Sequence, residues 1–378
     1  MRRSLTALLA FASASAGAQV HTQAAELRDG NGDGLIELTR PLGPFQAGDV
    51  VKRCKELPAY TYVTHAEACP PPASTGPAAP AAEPLWGINI SGGEFRGVEG
   101  GQLIPRPDEL QAYHDAGFRL FRIPFKASQL DRADARAKLV ALGEKCVALG
   151  VPCVFDRHEY KWPAVADQVA FWVRFAGVMP KSDLIHLDLM NEPKHFNDEG
   201  LTNDWLQWAR DAQAIITGLR AAGVTNRIWL EWPGYTAAYR FDKQEPARKA
   251  CESAKCAIKR SGGIVDPIGR TGLQAHRYFN KGGSGTDDLC QAATSLAAFA
   301  ASAREFGMPV MLGESAFGSD RGMRPECEAV GRKAVAELRA GGFWGVTWWG
   351  GGRAWKRDYL HFTPAAGEYR YKAMLLGR

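Results

Sequence analysis

Short apolar runs alternate with helix-like stretches along most of the chain, from about residue 84 to the C-terminus. Each run is nearly continuous and rich in β-branched residues, which is typical of strands buried on both faces of a parallel sheet. The stretches between them repeat apolar residues with the period of an amphipathic helix. The eight predicted strands are Leu85–Ile90, Phe118–Pro124, Val151–Asp156, Leu184–Met190, Arg227–Glu231, Gly272–His276, Pro309–Gly313 and Phe343–Trp349.

This alternation predicts an α/β fold, a closed (β/α)8 TIM barrel. Eight strand–helix units in about 295 residues suit that architecture. Glycine follows several predicted helices, where a left-handed C-cap is needed. The alternative is an open doubly wound sheet, but its first strand is followed by Gly92 and Gly93 and not by a GxGxxG sequence. The predicted helices include Asp108–Ala116, Ala133–Leu149, Trp205–Ala222, Leu296–Phe306 and Glu326–Ala340, and the capping glycines are Gly117, Gly150, Gly307 and Gly342.

Three different segments precede the predicted barrel. Residues 1–18 combine a basic start, a short apolar run and small residues at the end, as a secretory signal peptide does. Residues 19–69 form a small segment of unknown role with too few apolar residues to bury a core alone. Residues 70–83 are rich in Pro and Ala, which is typical of an extended linker. We therefore expect a secreted protein with a catalytic domain at 84–378.

The small segment also contains a possible cation-binding loop. Residues 29–37 carry Asp, Asn and Asp at alternate positions and then Gly, which resembles the first half of a calcium loop. The twelfth position is Arg40, whose charge would repel calcium where an acidic ligand is expected. The pattern favours a plain Asp/Gly turn, and the calcium loop stays open as the alternative.

Eight cysteines agree with export, because disulfides form in oxidising compartments. The pairs closest in sequence are Cys54 with Cys69, Cys251 with Cys256, and Cys290 with Cys327. The remaining two, Cys146 and Cys153, either pair with each other or are buried thiols. No CxxC pair is present, so the sequence does not indicate a zinc site.

Composition narrows the choice of partner. Apolar residues make up 46% of the chain and charged residues 23%, which excludes a wholly disordered protein. A net charge of +5 is too small to indicate a nucleic-acid binder, and no apolar run is long enough to span a membrane. The 11 Trp and 10 Tyr residues suit polar ligands that have apolar faces. We expect a monomer that binds neither nucleic acid nor membrane.

Ionisable side chains follow most of the predicted strands, at the end of a barrel where active sites lie. Glu192 follows strand four and Glu314 follows strand seven, so the two can face each other across the barrel mouth. Cleavage of a glycosidic bond needs such a pair, with one carboxylic acid and one carboxylate. For Glu159 and Glu231, a structural ion pair or helix cap is an equally good interpretation.

These strand-end motifs resemble those of glycoside hydrolase family 5, whose catalytic glutamates follow strands four and seven. The resemblance spans about residues 84–378 and rests on motifs at seven strands in order. Glu159 stands where the family has Asn in a His-Asn-Tyr motif. The opening Gly87–Phe95, and Ser284–Thr286 with Cys290 downstream, look like the endoglucanase branch. The motifs themselves are Arg122 in FRIP, His158 and Tyr160 in HEY, Asn191 and Glu192 in NEP, His276 and Tyr278 in HRY, Glu314 in GES, and Trp348 with Trp349.

The resemblance implies a secreted endo-β-1,4-glucanase that retains anomeric configuration. Glu192 is the implied acid/base and Glu314 the implied nucleophile, with carboxyl groups roughly 5 to 5.5 Å apart. Arg122 beside Glu314 would keep it ionised, and Asn191 would bind the sugar 2-hydroxyl. The implied substrate-binding residues are Arg122, His158, Tyr160, Asn191, His276, Tyr278, Trp348 and Trp349, with Trp349 favoured as the sugar platform.

Several alternatives remain open from sequence. A β-mannanase or another β-glucanase of the same family is the nearest, and a non-catalytic glycan-binding barrel is the more distant one. A metal-dependent hydrolase would need His158, His186 and His276 to converge, although His186 lies within a strand. The expected chemistry needs no metal and no organic cofactor. Trp232 and Tyr235 are as compatible with core packing as with a sugar subsite.

Overall fold

The computed structural model describes fifteen stretches of the chain. The chain divides into two compact units, residues 1–77 and 78–378, which are treated separately below. Outside the described residues lie the predicted signal peptide, nearly all of the linker, Cys69, Ser284–Thr286, and Asp29 and Arg40 of the possible calcium loop. The described stretches are 20–23, 27, 30–31, 33–39, 45–54, 60–66, 83–95, 101–197, 200–202, 204–243, 250–283, 289–291, 293–316, 325–354 and 372–376.

The first unit contains a four-stranded antiparallel sheet. Its strands are β1 (Val20–Gln23), β2 (Leu35–Glu37), β3 (Val50–Arg53) and β4 (Tyr60–Thr64), in the order β1-β4-β3-β2. A small core of Leu38, Phe45, Val51 and Tyr62 packs within it. The segment therefore contains a small core, contrary to the expectation that it has too few apolar residues to bury one. In the Asp/Gly loop, Asp33 Oδ1 accepts a hydrogen bond from the amide of Leu35 at 2.8 Å, as a turn preceding β2 would require.

The second unit is a closed parallel barrel, which confirms the predicted TIM-barrel fold. Its strands follow the predicted order and pair as β11-β12-β13-β14-β5-β6-β7-β8. Each predicted strand is present, with ends that shift by a few residues because turns and bulges set where pairing stops. The strands are β5 (Leu85–Ile90), β6 (Leu120–Phe125), β7 (Cys153–Arg157), β8 (Ile185–Asp188), β11 (Ile228–Leu230), β12 (Thr271–Tyr278), β13 (Val310–Ala316) and β14 (Gly345–Gly351).

Helices occupy the connections between the strands. Gly150 ends the helix Ala133–Leu149 with φ of 66°, as its C-cap role requires. A two-stranded hairpin of β9 (His195–Asn197) and β10 (Gly200–Thr202) follows β8. The helices are α1 (Pro107–Asp115), α2 (Ser128–Asp131), α3 (Ala133–Leu149), α4 (Val165–Val178), α5 (Trp205–Ala221), α6 (Ala254–Ser261), α7 (Leu296–Ala303), α8 (Pro325–Ala340) and α9 (Lys372–Leu376), with short 3₁₀ helices at Ala238–Arg240 and Arg304–Phe306.

Three disulfides join parts of the barrel unit. The bonds Cys251–Cys256 and Cys290–Cys327 are as predicted, and Cys146 pairs with Cys153, the first of the two options. The predicted partner of Cys54 lies outside the described residues. Within the described stretches, no helix is both long and apolar enough to cross a bilayer.

The barrel interior changes character along the strands. Leu120, Val154, Trp229 and Met311 come from four different strands and contact one another, which is possible only inside the barrel. We call this cluster the apolar layer. Side chains alternate between the two faces of a strand, so inward positions recur two residues further on. In this way the barrel presents Arg122, Asp156 and Glu231 above the apolar layer, nearer the catalytic end.

Candidate active site

Arg122 lies at the centre of the site, fully buried among four carboxylates. Its Nη2 is 3.0 Å from Asp156, 2.9 Å from Asp188 and 2.9 Å from Glu231, and its Nη1 donates to Glu314 at 2.7 Å. We call these five residues the charged layer. Burial raises the pKa of both Asp156 and Asp188, and the guanidinium opposes that rise. One fixed cation therefore holds the carboxylates of several strands in place.

Glu314 reaches this layer because of a β-bulge in β13. Ala275 of β12 pairs with Leu312, but the next residue, His276, pairs with Glu314, so Gly313 is an extra residue. Without the bulge, Glu314 would point away from the barrel interior. A Cβ at Gly313 would clash with the side chain of Gln274, so glycine is required here.

Both carboxylate oxygens of Glu314 are engaged. Oε1 accepts the hydrogen bond from Arg122, and Oε2 accepts one from the Tyr278 hydroxyl at 2.7 Å. Nδ1 of His276 lies 3.6 Å from the same Oε2. Burial would raise the pKa of Glu314, but the positive charges of His276 and Arg122 outweigh burial and lower it. Glu314 is therefore ionised in the folded protein near neutral pH.

Glu192 faces Glu314 from the far side of the barrel mouth. It lies four residues beyond the end of β8 in a left-handed conformation, with φ of 41°. His276 Nδ1 is 3.1 Å from its Oε1. One carboxylate oxygen of each glutamate and a His276 nitrogen all lie within 4.8 Å of one another. The structure thus brings together the two acids that the sequence predicted, with a histidine between them.

Glu231 plays a larger part than sequence reasoning assigned. Its Oε2 accepts hydrogen bonds from the Glu192 amide at 2.6 Å and from the Thr236 hydroxyl at 2.9 Å. Its Oε1 is 3.1 Å from His276 Nε2. Burial opposes ionisation of Glu231, but the charges of His276 and Arg122 lower its pKa. The available signal was its inward position, two residues after Trp229 on β11.

His276 carries a positive charge between three acidic groups. Burial opposes that charge, but Glu231 and Glu314 outweigh burial and raise the pKa of His276 well above its ordinary value. With both ring nitrogens protonated, Nε2 donates to Glu231 and Nδ1 donates toward Glu192 and Glu314. The imidazolium therefore links the buried Glu231 to the two glutamates at the surface of the cleft.

His158, Tyr160 and Trp349 form the opposite wall. His158 Nδ1 is 2.6 Å from Asp156 Oδ2, and its Nε2 is 3.1 Å from the Tyr160 hydroxyl. The His158 ring stacks on Trp349 with centroids 5.8 Å apart and planes 22° apart. Burial opposes protonation of His158, but Asp156 raises its pKa. A rigid face of imidazole and indole therefore borders the cleft.

A cavity of about 580 Å³ lies over these groups. Both glutamates line it, together with side chains from six successive strand ends. Its volume is within the usual range for small-molecule and sugar sites. The lining residues are His158, Tyr160, Glu192, Tyr235, Ala237, Tyr239, Arg240, His276, Arg277, Tyr278, Gly282, Gly283, Glu314 and Trp349.

A family model described as cellulase, glycosyl hydrolase family 5, matches residues 87–352. The chain belongs to glycosyl hydrolase family 5. It is therefore a glycoside hydrolase, as the paired glutamates predicted.

Individual relatives agree with this family 5 membership. The chain is 26% identical to a probable endo-beta-1,4-glucanase B of Aspergillus oryzae, over 76% of this chain and 87% of that protein. It is similar in fold to the endo-beta-1,4-glucanase Xac0029 of Xanthomonas axonopodis pv. citri, with 22% identity, a TM-score of 0.65, and coverage of 77% and 97% of the two chains. A structure of XacCel5A in complex with cellopentaose gives 24% identity, a TM-score of 0.64 and the same coverage.

One family 5 expectation does not fit the geometry. Trp348 is 1% exposed and packs in the main core between strands and helices, whereas Trp349 lines the cavity. Adjacent residues of a strand point to opposite faces, so only one of the two tryptophans can face a sugar. Trp348 is therefore a packing residue, and the prediction of a substrate contact from it was wrong.

The structure also places the residues that sequence left open. Trp232 is buried and packs against Phe241 and Phe299, which is a core position. Tyr235 is 60% exposed and lines the cavity. Glu159 accepts a hydrogen bond from Arg157 Nε at 2.7 Å, the structural ion pair that was one of its two interpretations.

The three histidines of the metal hypothesis do not converge. His186 accepts a hydrogen bond from Trp229 Nε1 at 3.2 Å beside the apolar layer. Among the described residues, two other groupings could supply metal ligands, namely Asp156, His158 and Glu314, and Glu192, His276 and Glu314. Both use Glu314, whose oxygens already bind Arg122 and Tyr278, so a metal cation would be repelled by the adjacent guanidinium.

Proposed function

We propose that this family 5 enzyme is a secreted endoglucanase that cleaves internal β-1,4-glucosidic bonds with retention of anomeric configuration. The observation that carries the proposal is the approach of Glu192 and Glu314, whose nearest carboxylate oxygens lie within 4.8 Å across the cavity. Retaining glycosidases hold their carboxyl groups roughly 5 to 5.5 Å apart, whereas inverting enzymes need roughly 6.5 to 9.5 Å to admit water. The short separation favours direct attack by a carboxylate.

In the proposed first step, Glu314 attacks the anomeric carbon while Glu192 gives its proton to the departing glycosidic oxygen. The C–O bond to the leaving sugar breaks as an ester to Glu314 forms. In the second step, Glu192 takes a proton from water, and that water displaces Glu314 from the anomeric carbon. Arg122, Tyr278 and His276 support this assignment, because all three stabilise negative charge on Glu314.

Asn191 is proposed to bind the 2-hydroxyl of the reacting sugar. Its Oδ1 accepts a hydrogen bond from Arg122 at 2.9 Å, which fixes the orientation of the amide. Its Nδ2 is buried and has no hydrogen-bond partner among the described residues, so it is available as a donor. A buried donor without a partner is costly, and a substrate hydroxyl would satisfy it.

The substrate assignment to β-1,4-glucan is supported by the relatives. The Aspergillus oryzae protein carries the name probable endo-beta-1,4-glucanase B, and XacCel5A has been solved with cellopentaose. Trp349 is proposed as the platform for a pyranose ring, and His158 and Tyr160 as donors to sugar hydroxyls. The leader-like residues 1–18 and the disulfides support secretion. A monomer remains our expectation.

Proton NMR of the first products tests the stereochemistry. With a soluble cello-oligosaccharide as substrate, the β-anomer should appear first and then equilibrate with the α-anomer. Immediate release of the α-anomer would show inversion and contradict the assigned roles. Reducing sugar released from cellulose, mannan and laminarin, measured side by side, tests the substrate, and a higher rate on mannan or laminarin would replace β-1,4-glucan in the proposal.

A further inference from the structure

Three cations lie together on one side of the cleft, where the chain leaves β8, β11 and β12. Arg240 and Arg277 line the cavity. Lys194 borders it, with Nζ 4.5 Å from the ring centroid of Tyr235 and 5.2 Å from that of Tyr160. We call Lys194, Arg240 and Arg277 the basic side of the cleft.

These cations have no carboxylate partner among the residues that the structure describes. Arg277 donates through Nε to the carbonyl of Thr294 at 3.0 Å, and its remaining contacts are also to uncharged groups. Burial lowers the pKa of Arg277, as expected for a buried cation that no carboxylate stabilises. Arg240 lies 5.9 Å from the Tyr239 ring centroid and makes no ion pair within the described stretches.

Some other cations of the barrel unit have a carboxylate partner. Arg220 contacts Asp266 at 2.8 Å, and Lys255 contacts Asp242 at 2.8 Å. Leaving a partly buried cation unpaired is unfavourable, so such groups are normally matched by acids. The basic side of the cleft therefore carries charge beside the cavity that no described carboxylate neutralises.

The acids that face the cavity do not cancel this charge. Among the described lining residues, the acidic ones are Glu192 and Glu314. Glu314 is paired with Arg122, and Glu192 lies 3.1 Å from His276, so each of these acids already faces a cation of its own. A bound glycan would consequently meet net positive charge on this side.

Exposed aromatic rings lie between the cations. Tyr235 is 60% exposed and Tyr239 is 46% exposed, and both line the cavity, so their ring faces are accessible to a ligand there. The guanidinium of Arg277 is 5.8 Å from the Tyr239 ring centroid, so this ring lies near both Arg277 and Arg240. Tyrosine rings can stack on pyranose faces while arginine pairs with a carboxylate through two parallel hydrogen bonds.

We propose that the basic side of the cleft binds the acidic substituents of a β-glucan that carries carboxylates. This inference rests on the proposed function, because it assumes that a β-glucan occupies the cleft. The sugar rings lie on Tyr235 and Tyr239, and carboxylates on those sugars pair with Arg240, Arg277 and Lys194. The natural substrate class is then an anionic β-linked glucan rather than plain cellulose.

Two soluble polymers test the proposal, neutral hydroxyethyl cellulose and anionic carboxymethyl cellulose. The measured quantity is the ratio of kcat/KM on the anionic polymer to kcat/KM on the neutral one. Arg240→Gln and Lys194→Gln should each lower this ratio by about tenfold, the effect of losing one partly desolvated ion pair. Arg304→Gln is the matched control, because Arg304 is exposed, lies outside the cavity lining and should leave the ratio unchanged.

Salt supplies a second measurement on the wild-type enzyme, independent of whether a variant folds. Raising NaCl from about 20 mM to about 500 mM shortens the range of charge interactions severalfold. The ratio should fall as salt rises. A ratio that neither salt nor the two substitutions changes overturns this inference.

The proposed endoglucanase activity and the proposed anionic substrate can be tested separately. Hydroxyethyl cellulose carries no charge, so wild-type cleavage of it tests the proposed function alone. Absence of cleavage on both polymers would remove the proposed function. Cleavage of the neutral polymer with a ratio that is insensitive to Arg240→Gln, Lys194→Gln and salt would leave the endoglucanase in place and remove its anionic substrate.

Discussion

The apolar layer and the charged layer are built on the same strands, yet they hold opposite kinds of side chain. Trp229 and Glu231 are two residues apart on one stretch of chain, and Met311 and Glu314 share β13. In the apolar layer, uncharged side chains contact one another. In the charged layer, four carboxylates surround one guanidinium. We infer that the apolar layer contributes mainly to stability and the charged layer mainly to catalysis. Substitutions in the two layers should therefore have separate effects on unfolding and on kcat.

The largest expected effect is on catalysis. Glu314→Gln keeps the size of the side chain but removes the attacking carboxylate, so kcat should fall by at least about 10⁴-fold. The midpoint of thermal unfolding should change little, because Gln can still accept the hydrogen bond from Arg122 with its amide oxygen and can donate one to the Tyr278 hydroxyl oxygen with its amide nitrogen. Rates on hydroxyethyl cellulose and circular dichroism melts measure both.

Glu305→Gln is the matched control for this substitution. Glu305 pairs with Lys255 and Lys259 and is not among the lining residues of the cavity, so its loss should leave kcat unchanged. A Glu314→Gln enzyme with a near-native rate would show that Glu314 is not the nucleophile.

Met311→Ala tests the apolar layer on the same strand. Met311 is fully buried, and shortening it leaves a cavity that should cost about 2–5 kcal/mol in the free energy of unfolding. Because the apolar layer does not touch the cleft, kcat should stay within about threefold of wild type. Urea denaturation and initial rates check the two parts. A large fall in kcat with unchanged stability would mean that the two layers are not separable.

Glu231→Gln tests whether a member of the charged layer that does not line the cavity contributes to catalysis. The substitution removes the charge that holds the Glu192 amide and His276, and hydrogen bonds to charged groups are worth roughly 1.5–3 kcal/mol. We expect kcat to fall about 10- to 100-fold with little change in KM, because Glu231 is not a lining residue of the cavity. Glu159→Gln is the comparison, since that acid pairs with Arg157 instead. Equal effects of the two substitutions on kcat would show that Glu231 acts only as a structural ion-pair residue.

The smallest expected effect is on the pH dependence of the unfolding free energy, through a histidine beside the apolar layer. Burial lowers the pKa of His186 to about 3, so the folded protein keeps it neutral while the unfolded chain takes up a proton below its ordinary pKa of 6.5. Stability should therefore fall as pH drops, by about 2 kcal/mol between pH 6.5 and roughly pH 5. His186→Gln offers one donor and one acceptor without titrating, so its unfolding free energy should depend less on pH. Identical pH dependence of the two proteins would contradict this account.

The fold and the two glutamates could be predicted from sequence because each depends on local signals. Each barrel strand is visible in the sequence as an apolar run, and Glu192 and Glu314 lie in short motifs directly after such runs. The role of Glu231 could not be predicted, because its partners, the Glu192 amide and His276, come from other strands. Strict alternation would have selected Trp349 over Trp348, since Thr347 on the same face bonds inward to Gly313.

The small antiparallel sheet was missed for a different reason. Its strands are three to five residues long, too short for a periodic pattern to stand out. The alternation that identifies a strand needs about four to eight residues to be visible. Long-range pairing, and not local sequence, defines that unit.

The bulge at Gly313 has a consequence for how the enzyme could be inactivated. A change that kept Gly313 but paired it as an ordinary strand residue would remove the bulge, so that the attacking carboxylate turned outward into the packing behind the sheet and Ser315 turned inward in its place. No chemical group of the reaction would be missing from such a chain. A charge forced among apolar neighbours would make it unstable as well as inactive, so the bulge ties the ability to fold to the ability to react.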